Sequence, residues 1–473
     1  MRVAALRAPA VAPRLGGLRA LALCLLGGVL AVGSLNAAAA AAATTTSSAT
    51  TLEVPRIDYR ERKLANGLTV LSVESHASPT VSVQIWYRVG GSDDPPGRSG
   101  FAHLFEHMMF KGTVYLKAEQ FDRMTEDVGG ANNASTGNDV TTYEEVIPSN
   151  HLETLLWAEA ERLQHLKVDE ANFQSERAVV EEEYRERILA SPYGRFFNAV
   201  ASAPYLKHPY RRPTIGSIAD LDAATLADVT AFHDTYYRPD NATLIVAGDF
   251  DPQQLDAWVD KYFGPIARPA TPLPARNATE PPWTSDRTIT VTAPNVPLPA
   301  VAAVWLAPPV TSADVPALEV ASAVLSAGDS SRLNQSLVYR QQIATQAGFS
   351  ADLRAGSGLL IATAIAAGGK PIAEVRAALL AEVQRLVDHP ATPAELDKVK
   401  NQLITDAFAS RQTPLGLGSA IADAAVLEGD ANRVNTNLEA LQRVTTADIQ
   451  RVLRRYVTDT HKVILEYRQE TPR

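Results

Sequence analysis

The chain has 473 residues, of which 46% are hydrophobic and 21% charged, enough for roughly two to four domains with substantial cores. Its formal charge of −9 becomes −13 when the four arginines of residues 1–43 are set aside, and so acidic a surface argues against nucleic acid as a partner. Beyond the N-terminus no apolar run is long enough to span a bilayer, so no stable membrane span is expected in a mature form.

At the N-terminus, Arg2, Arg7, Arg14 and Arg19 precede an apolar run from Ala20 to Leu35, and an alanine tract from Ala37 to Ala43 follows. A basic region, an apolar region and a small-residue cleavage zone make residues 1–43 an export signal, with the periplasm of a Gram-negative bacterium as destination. An uncleaved anchor is the alternative. Cys24 is the sole cysteine and lies inside this run behind Leu23, where a lipoprotein signal would place a small residue. A mature chain therefore has no cysteine and no disulfide. Residues 44–56 form a polar tether.

Strand patterns follow at Leu68–Val73, behind the turn pair Asn66-Gly67, and at Val81–Val89. Glycines at 90 and 91 and the run Asp93-Asp94-Pro95-Pro96-Gly97 break the second strand. A helix is expected from about Gly100 to Phe110, and it carries His103-Leu104-Phe105-Glu106-His107. Histidines four apart lie on one helix face, so both imidazoles reach one metal ion. Glu106 reaches the same face. Two imidazoles and a carboxylate suit zinc, with a position left for water and a nearby carboxylate to take its proton. The order of the motif is the reverse of the commoner zinc-protease helix.

Gly129-Gly130-Ala131-Asn132-Asn133-Ala134-Ser135-Thr136 leads into a polar strand through Tyr143. It reads as an edge strand able to pair with an extended peptide, or as an ordinary hairpin. Residues 150–190 read as helix, with Leu155, Leu156, Ala158, Leu163 and Leu166 as an apolar stripe and Glu159, Glu161 and Arg162 in solvent. In the run Glu176-Arg177-Ala178-Val179-Val180-Glu181-Glu182-Glu183, the first and last glutamates share a face, with Val179 between them. A helix carboxylate here would supply a third zinc ligand, and spacing does not choose among Glu181, Glu182 and Glu183.

After a loop at His208-Pro209-Tyr210 come a helix at Ala223–Tyr237, a strand at Ala242–Ala247 and a proline-rich linker over 266–284. The pattern then recurs at an offset of 220. Ala227-Asp228-Val229, Phe232 and Tyr236 before Leu244 match Ala447-Asp448-Ile449, Val452 and Tyr456 before Ile464. This second copy holds only His389 and His461 and lacks a paired-histidine helix, so it should not bind the metal. Its segment Gly328-Asp329-Ser330-Ser331-Arg332-Leu333 opens a helix carrying Tyr339; spacing alone reads it as a capped helix with one snorkelling arginine.

With these motifs the chain resembles the pitrilysin or insulinase-like family of inverted-motif zinc peptidases, in the two-domain branch that includes mitochondrial processing peptidase. The resemblance runs over about residues 55–468 and rests on His103–His107, Glu176–Glu183, Asn133–Thr136 and His208-Pro209-Tyr210. It implies an α+β fold of two homologous α/β domains with antiparallel-rich sheets packed by helices: a catalytic domain at 57–265, the linker at 266–284, and an inactive domain at 285–470. It implies one Zn²⁺ per chain on His103, His107 and Glu183, with Glu106 as general base and Glu176 in support. Arg332 and Tyr339 match the family's arginine and tyrosine that hold the substrate carbonyl. A peptide substrate would lie along Ala134, Ser135 and Thr136. Four such domains enclose a cleft, so a homodimer or a heterodimer with a related subunit is expected. The implied activity is zinc-dependent endopeptidase action on extended peptides or small unfolded polypeptides, the alternative being a non-catalytic partner subunit.

Overall fold

The computed structural model describes residues 55–470. The expected export signal and most of the polar tether lie outside that range. Among the described residues no helix is long and apolar enough to cross a membrane.

The first sheet contains β1 (Arg60–Lys63), β2 (Thr69–Glu74), β3 (Thr80–Tyr87), β4 (Ala131–Thr136), β5 (Thr141–Pro148) and β6 (Ala242–Gly248). Their order is β1-β2-β6-β3-β5-β4, antiparallel except for the β2–β6 pair. The wholly buried β6 and nearly wholly buried β3 lie inside the sheet, while the Asn-, Ser- and Thr-rich β4 lies at an edge, as its polar sequence requires. Asn66-Gly67 makes the expected turn between β1 and β2, with Gly67 at φ +94°. The Asn66 amide donates to the carbonyls of Phe263 at 2.8 Å and Ile266 at 2.9 Å.

The second sheet contains β7 (Arg287–Ala293), β8 (Ala300–Ala307), β9 (Ala344–Asp352), β10 (Gly358–Ala366) and β11 (Val463–Gln469). Its order, β7-β11-β8-β10-β9, repeats β2-β6-β3-β5-β4, and β7–β11 is again the parallel pair. The recurrence read in the sequence falls on equivalent elements. Capping boxes at Thr225/Asp228 and Thr445/Asp448 open the helices that precede β6 and β11. The halves also exchange an element. Phe196 and Val200 of the helix Gly194–Ser202 pack on Ala302, Val304, Leu465 and Tyr467 of the second sheet. Ile421 and Ala422 of the helix Pro414–Ala422 pack on Leu71, Trp86, Ile245 and Ala247 of the first. Each apolar sheet back is thus covered by the other half.

Four helices follow the first strands: α1 (Phe101–Met108), α2 (Gln120–Glu126), α3 (Leu152–His165) and α4 (Glu170–Tyr184). Here one sequence expectation fails. Glu159, Glu161 and Arg162 are 0%, 5% and 1% exposed rather than solvated. The cause is a partner from another element: β5 lays Glu145 against α3, and Arg162 donates to it at 3.2 Å and to Glu159. The guanidinium also lies 4.2 Å from the Phe121 ring and 4.5 Å from that of Tyr143. Glu161 accepts from Thr113 Oγ1 at 2.7 Å and the Tyr115 N–H at 3.2 Å, holding the loop after α1. Val179, which lies between the two glutamates of the run, is 45% exposed, and Phe173 and Val180 are the α4 residues that fill the core.

Candidate metal centre

The start of α1 is set by two glycines and one aspartate. Gly100 has φ +96°, and a Cβ there would lie 2.9 Å from the Ile215 carbonyl oxygen. Gly216, at φ +81°, would place a Cβ 2.3 Å from the Ser99 carbonyl oxygen. Only glycine tolerates both the backbone and the approach. The Asp94 carboxylate accepts from the Gly100 N–H at 2.7 Å and the Ala102 N–H at 2.9 Å, satisfying donors that a helix start leaves open. Burial pushes this carboxyl up to about 7 against those two bonds. In the sequence, Asp94 reads only as part of a strand-breaking run; its capping role was hidden because the cap lies six residues ahead, across Pro95 and Pro96.

Phe101, Leu104, Phe105 and Met108 sit in the core, which leaves His103, Glu106 and His107 toward α4. His103 Nε2 is 3.5 Å and His107 Nε2 3.3 Å from the same oxygen, Glu183 Oε2. The three side chains offer ligand atoms that all lie within 4.8 Å of one another. The rings meet edge to face, with centroids 4.9 Å apart. Glu181 and Glu182 each pair with Arg185 at 3.1 Å instead, so of the three candidates it is Glu183 that the fold brings to the histidines.

Around these groups lies a supporting layer. Arg187 holds Glu183 Oε1 at 2.7 Å, an i,i+4 pair legible in the sequence but not singled out there. Glu176 is 3% exposed; its Oε2 lies 3.7 Å from His107 Nδ1, and Lys111 Nζ holds Oε1 at 3.0 Å. It stands behind the His107 ring, away from the ligand cluster. Glu106 Oε2 accepts from the Thr136 hydroxyl at 2.6 Å, so edge strand β4 touches the carboxylate directly. Ala134 and Ser135 pair with Tyr143 and Thr142 of β5, and the outer edge of β4 pairs with no described strand.

The donor set fits a divalent cation. Burial, helped by the neighbouring His107, lowers the His103 pKa to about 4, so its imidazole is neutral near pH 7. Burial opposes a proton on His107, but Glu176 and Glu183 outweigh it and raise that pKa to about 9. The same pair lets His107 and its neighbours hold both carboxyls below their ordinary range despite burial. A field that favours positive charge on the His107 ring also favours a metal ion on its Glu183 side, which would displace the proton. Burial raises the Glu106 carboxyl, partly offset by Thr136.

Arg332 and Tyr339 are not in this cluster. Arg332 donates to Glu395 at 2.9 and 3.0 Å and to the carbonyls of His389 at 2.9 Å and Pro390 at 3.1 Å. Tyr339 is 52% exposed. His208 and Tyr210, read as a loop motif, are both buried.

The family model described as insulinase (peptidase family M16) matches residues 69–217, and that of the peptidase M16 inactive domain matches residues 223–403. The chain is 32% identical over 402 residues to the zinc protease PqqE of Helicobacter pylori, covering 84% of this chain and 90% of that protein. The crystal structure of a protease from Helicobacter pylori aligns with a TM-score of 0.83 at 30% identity, covering 87% of this chain and all of that one. The periplasmic protease PqqL from Escherichia coli shares the fold, with a TM-score of 0.70 at 18% identity over 87% of this chain and 47% of that one.

Proposed function

The chain belongs to the peptidase M16 (insulinase) family, and from that premise we propose that it is a zinc-dependent endopeptidase acting on extended peptides or small unfolded polypeptides. The observation that carries this reading is the convergence of His103, His107 and Glu183 within 4.8 Å, with Glu106 on the same helix face. These three side chains would hold one Zn²⁺. When bound, the metal supplies Lewis acidity that makes a water molecule nucleophilic near neutral pH.

The rest falls to the chain's own groups. Glu106 takes the proton of the attacking water and passes it to the leaving amine. Thr136 fixes one of its carboxylate oxygens, which sets the direction of transfer. Glu176, anchored by Lys111, orients the His107 ring from behind. An extended peptide adds to the open edge of β4 near Ala134, Ser135 and Thr136. Arg332 and Tyr339 are the proposed donors to the developing oxyanion, delivered across the cleft of a homodimer or of a heterodimer with a related subunit. Arg332 must leave its clasp on Glu395 to act; a chain in which it stays there depends on a partner for that donor. Residues 57–265 would be the catalytic domain, 266–284 the linker and 285–470 the inactive copy. Residues 1–43 would direct export to the periplasm.

The test is cleavage of an unstructured peptide by the zinc-loaded protein and by Glu106→Gln. The variant should keep zinc and lose about 10²–10⁴ in kcat, the scale of general-base catalysis. Cleavage at the wild-type rate would remove Glu106 from the mechanism.

A further inference from the structure

The two halves also meet at a point remote from the metal ligands in sequence, against the turn between β4 and β5. Asp139 lies in that turn and is 7% exposed. Its Oδ1 accepts from the Tyr210 hydroxyl at 2.7 Å, and its Oδ2 accepts from the Ala355 N–H at 3.1 Å. The Tyr210 oxygen accepts in turn from the Gly356 N–H at 2.9 Å. One carboxylate and one phenol thus hold two consecutive amides in the β9–β10 connection of the second half. Gly356 makes the room, since a Cβ there would lie 3.0 Å from His208 Nε2 and 3.2 Å from the Tyr210 oxygen. On the other flank, Arg276 of the proline-rich segment donates to the Asp139 carbonyl at 3.1 Å while gripping Asp93 at 2.9 Å. The N–H groups of Gly91 and Ser92 donate to the carbonyls of Gly137 at 3.1 Å and Asn138 at 2.9 Å. The turn so held is three residues from Thr136, whose hydroxyl bonds Glu106.

We infer that Asp139 and Tyr210 are positioning residues: by pinning the β4–β5 turn to the Ala355-Gly356 amides, they hold Thr136 at bonding distance from Glu106. The catalytic consequence rests on the peptidase reading; the structural link does not. Neither residue is a metal ligand, and the route tested below runs through β4 to Thr136.

Tyr210→Phe deletes the one oxygen that makes two of the three latch bonds, and keeps a ring for Tyr205, His208 and Arg354 to pack on. Zinc content should be unchanged. Hydrogen exchange should accelerate at the Gly137 amide, which bonds the Val140 carbonyl, and at Ala355 and Gly356. On a peptide substrate kcat should fall roughly tenfold, within the range that sub-ångström to 1 Å misplacement produces. Thr136→Val should lower kcat similarly, and adding Tyr210→Phe to it should cost less than about twofold more, since both act on one contact. Asp139→Asn keeps one acceptor and should fall between, which leaves a second variant should the first fold poorly. Unchanged exchange at Gly137, or a full tenfold loss in the Thr136→Val background, would overturn the proposal. A wild-type chain that binds zinc but cleaves nothing would count against the peptidase reading instead, and the exchange experiment would still decide the latch.

Discussion

Replacing Arg162 with methionine isolates the buried charge cluster beneath the edge hairpin. Glu145 and Glu159, both 0% exposed, would then face each other without a cation. Removing one side of a buried ion pair costs about 3–5 kcal/mol, and loss of the guanidinium over the Phe121 and Tyr143 rings adds on the order of 1 kcal/mol. The cost should depend on pH in a definite direction. Burial and the neighbouring Glu159 already push the Glu145 carboxyl well above its ordinary value, while Arg162 pulls it down. Without Arg162 the pull that lowers this carboxyl is gone, so the folded protein holds its proton more tightly, a proton that the unfolded chain releases near pH 4.5. The folded state then binds more protons than the unfolded one, so stability falls as pH rises, by about 1.4 kcal/mol per pH unit for each proton. Lowering the pH from about 7 to 5 should recover up to about 2.7 kcal/mol of the deficit. Urea unfolding followed by tryptophan fluorescence at both pH values measures this. The neutral set Arg162→Met, Glu145→Gln and Glu159→Gln should recover much of the loss at pH 7. A cost below about 1 kcal/mol, or one equal at the two pH values, would refute the reasoning.

Arg332→Ala should destabilise the second half by up to about 1 kcal/mol at neutral pH, because the partly exposed Glu395 pair is screened by solvent. Arg332 is the main cause that lowers Glu395 from 4.5 to about 2, so this stability is present above pH 4.5 and is lost as pH falls toward 2; acid titration of both proteins should show their unfolding curves converging there. Asp94→Ala should cost about 1–2 kcal/mol and weaken zinc binding, because two N–H groups at the start of α1 lose their acceptor; a zinc dissociation constant equal to wild type would dissociate the cap from the site. Gly100→Ala should be worse than Asp94→Ala in thermal denaturation, since it adds both strain at φ +96° and a 2.9 Å contact.

The fold was legible where residues repeat. The matching residues Ala227–Tyr236 and Ala447–Tyr456 and the strands around Leu244 and Ile464 announced the duplication 220 residues apart. At the centre, helical spacing placed His103, Glu106 and His107 together, because i,i+4 geometry is local. What spacing could not do was choose Glu183, since that depends on how α4 meets α1 and on Arg185 engaging Glu181 and Glu182. Arg162 was misread for a related reason: a charged residue on a helix is solvated unless another element brings a counter-charge, and Glu145 comes from a strand. The same blindness to remote partners hid Asp94 and the Asp139–Tyr210 latch.

Metal stoichiometry combined with zinc-edge X-ray absorption on the purified wild-type chain tests the central claim most directly. One zinc per chain is expected, held by two imidazole nitrogens at about 2.0–2.1 Å and a carboxylate oxygen, with tight binding lost in Glu183→Gln. No bound zinc, or a shell without histidine, would contradict the claim.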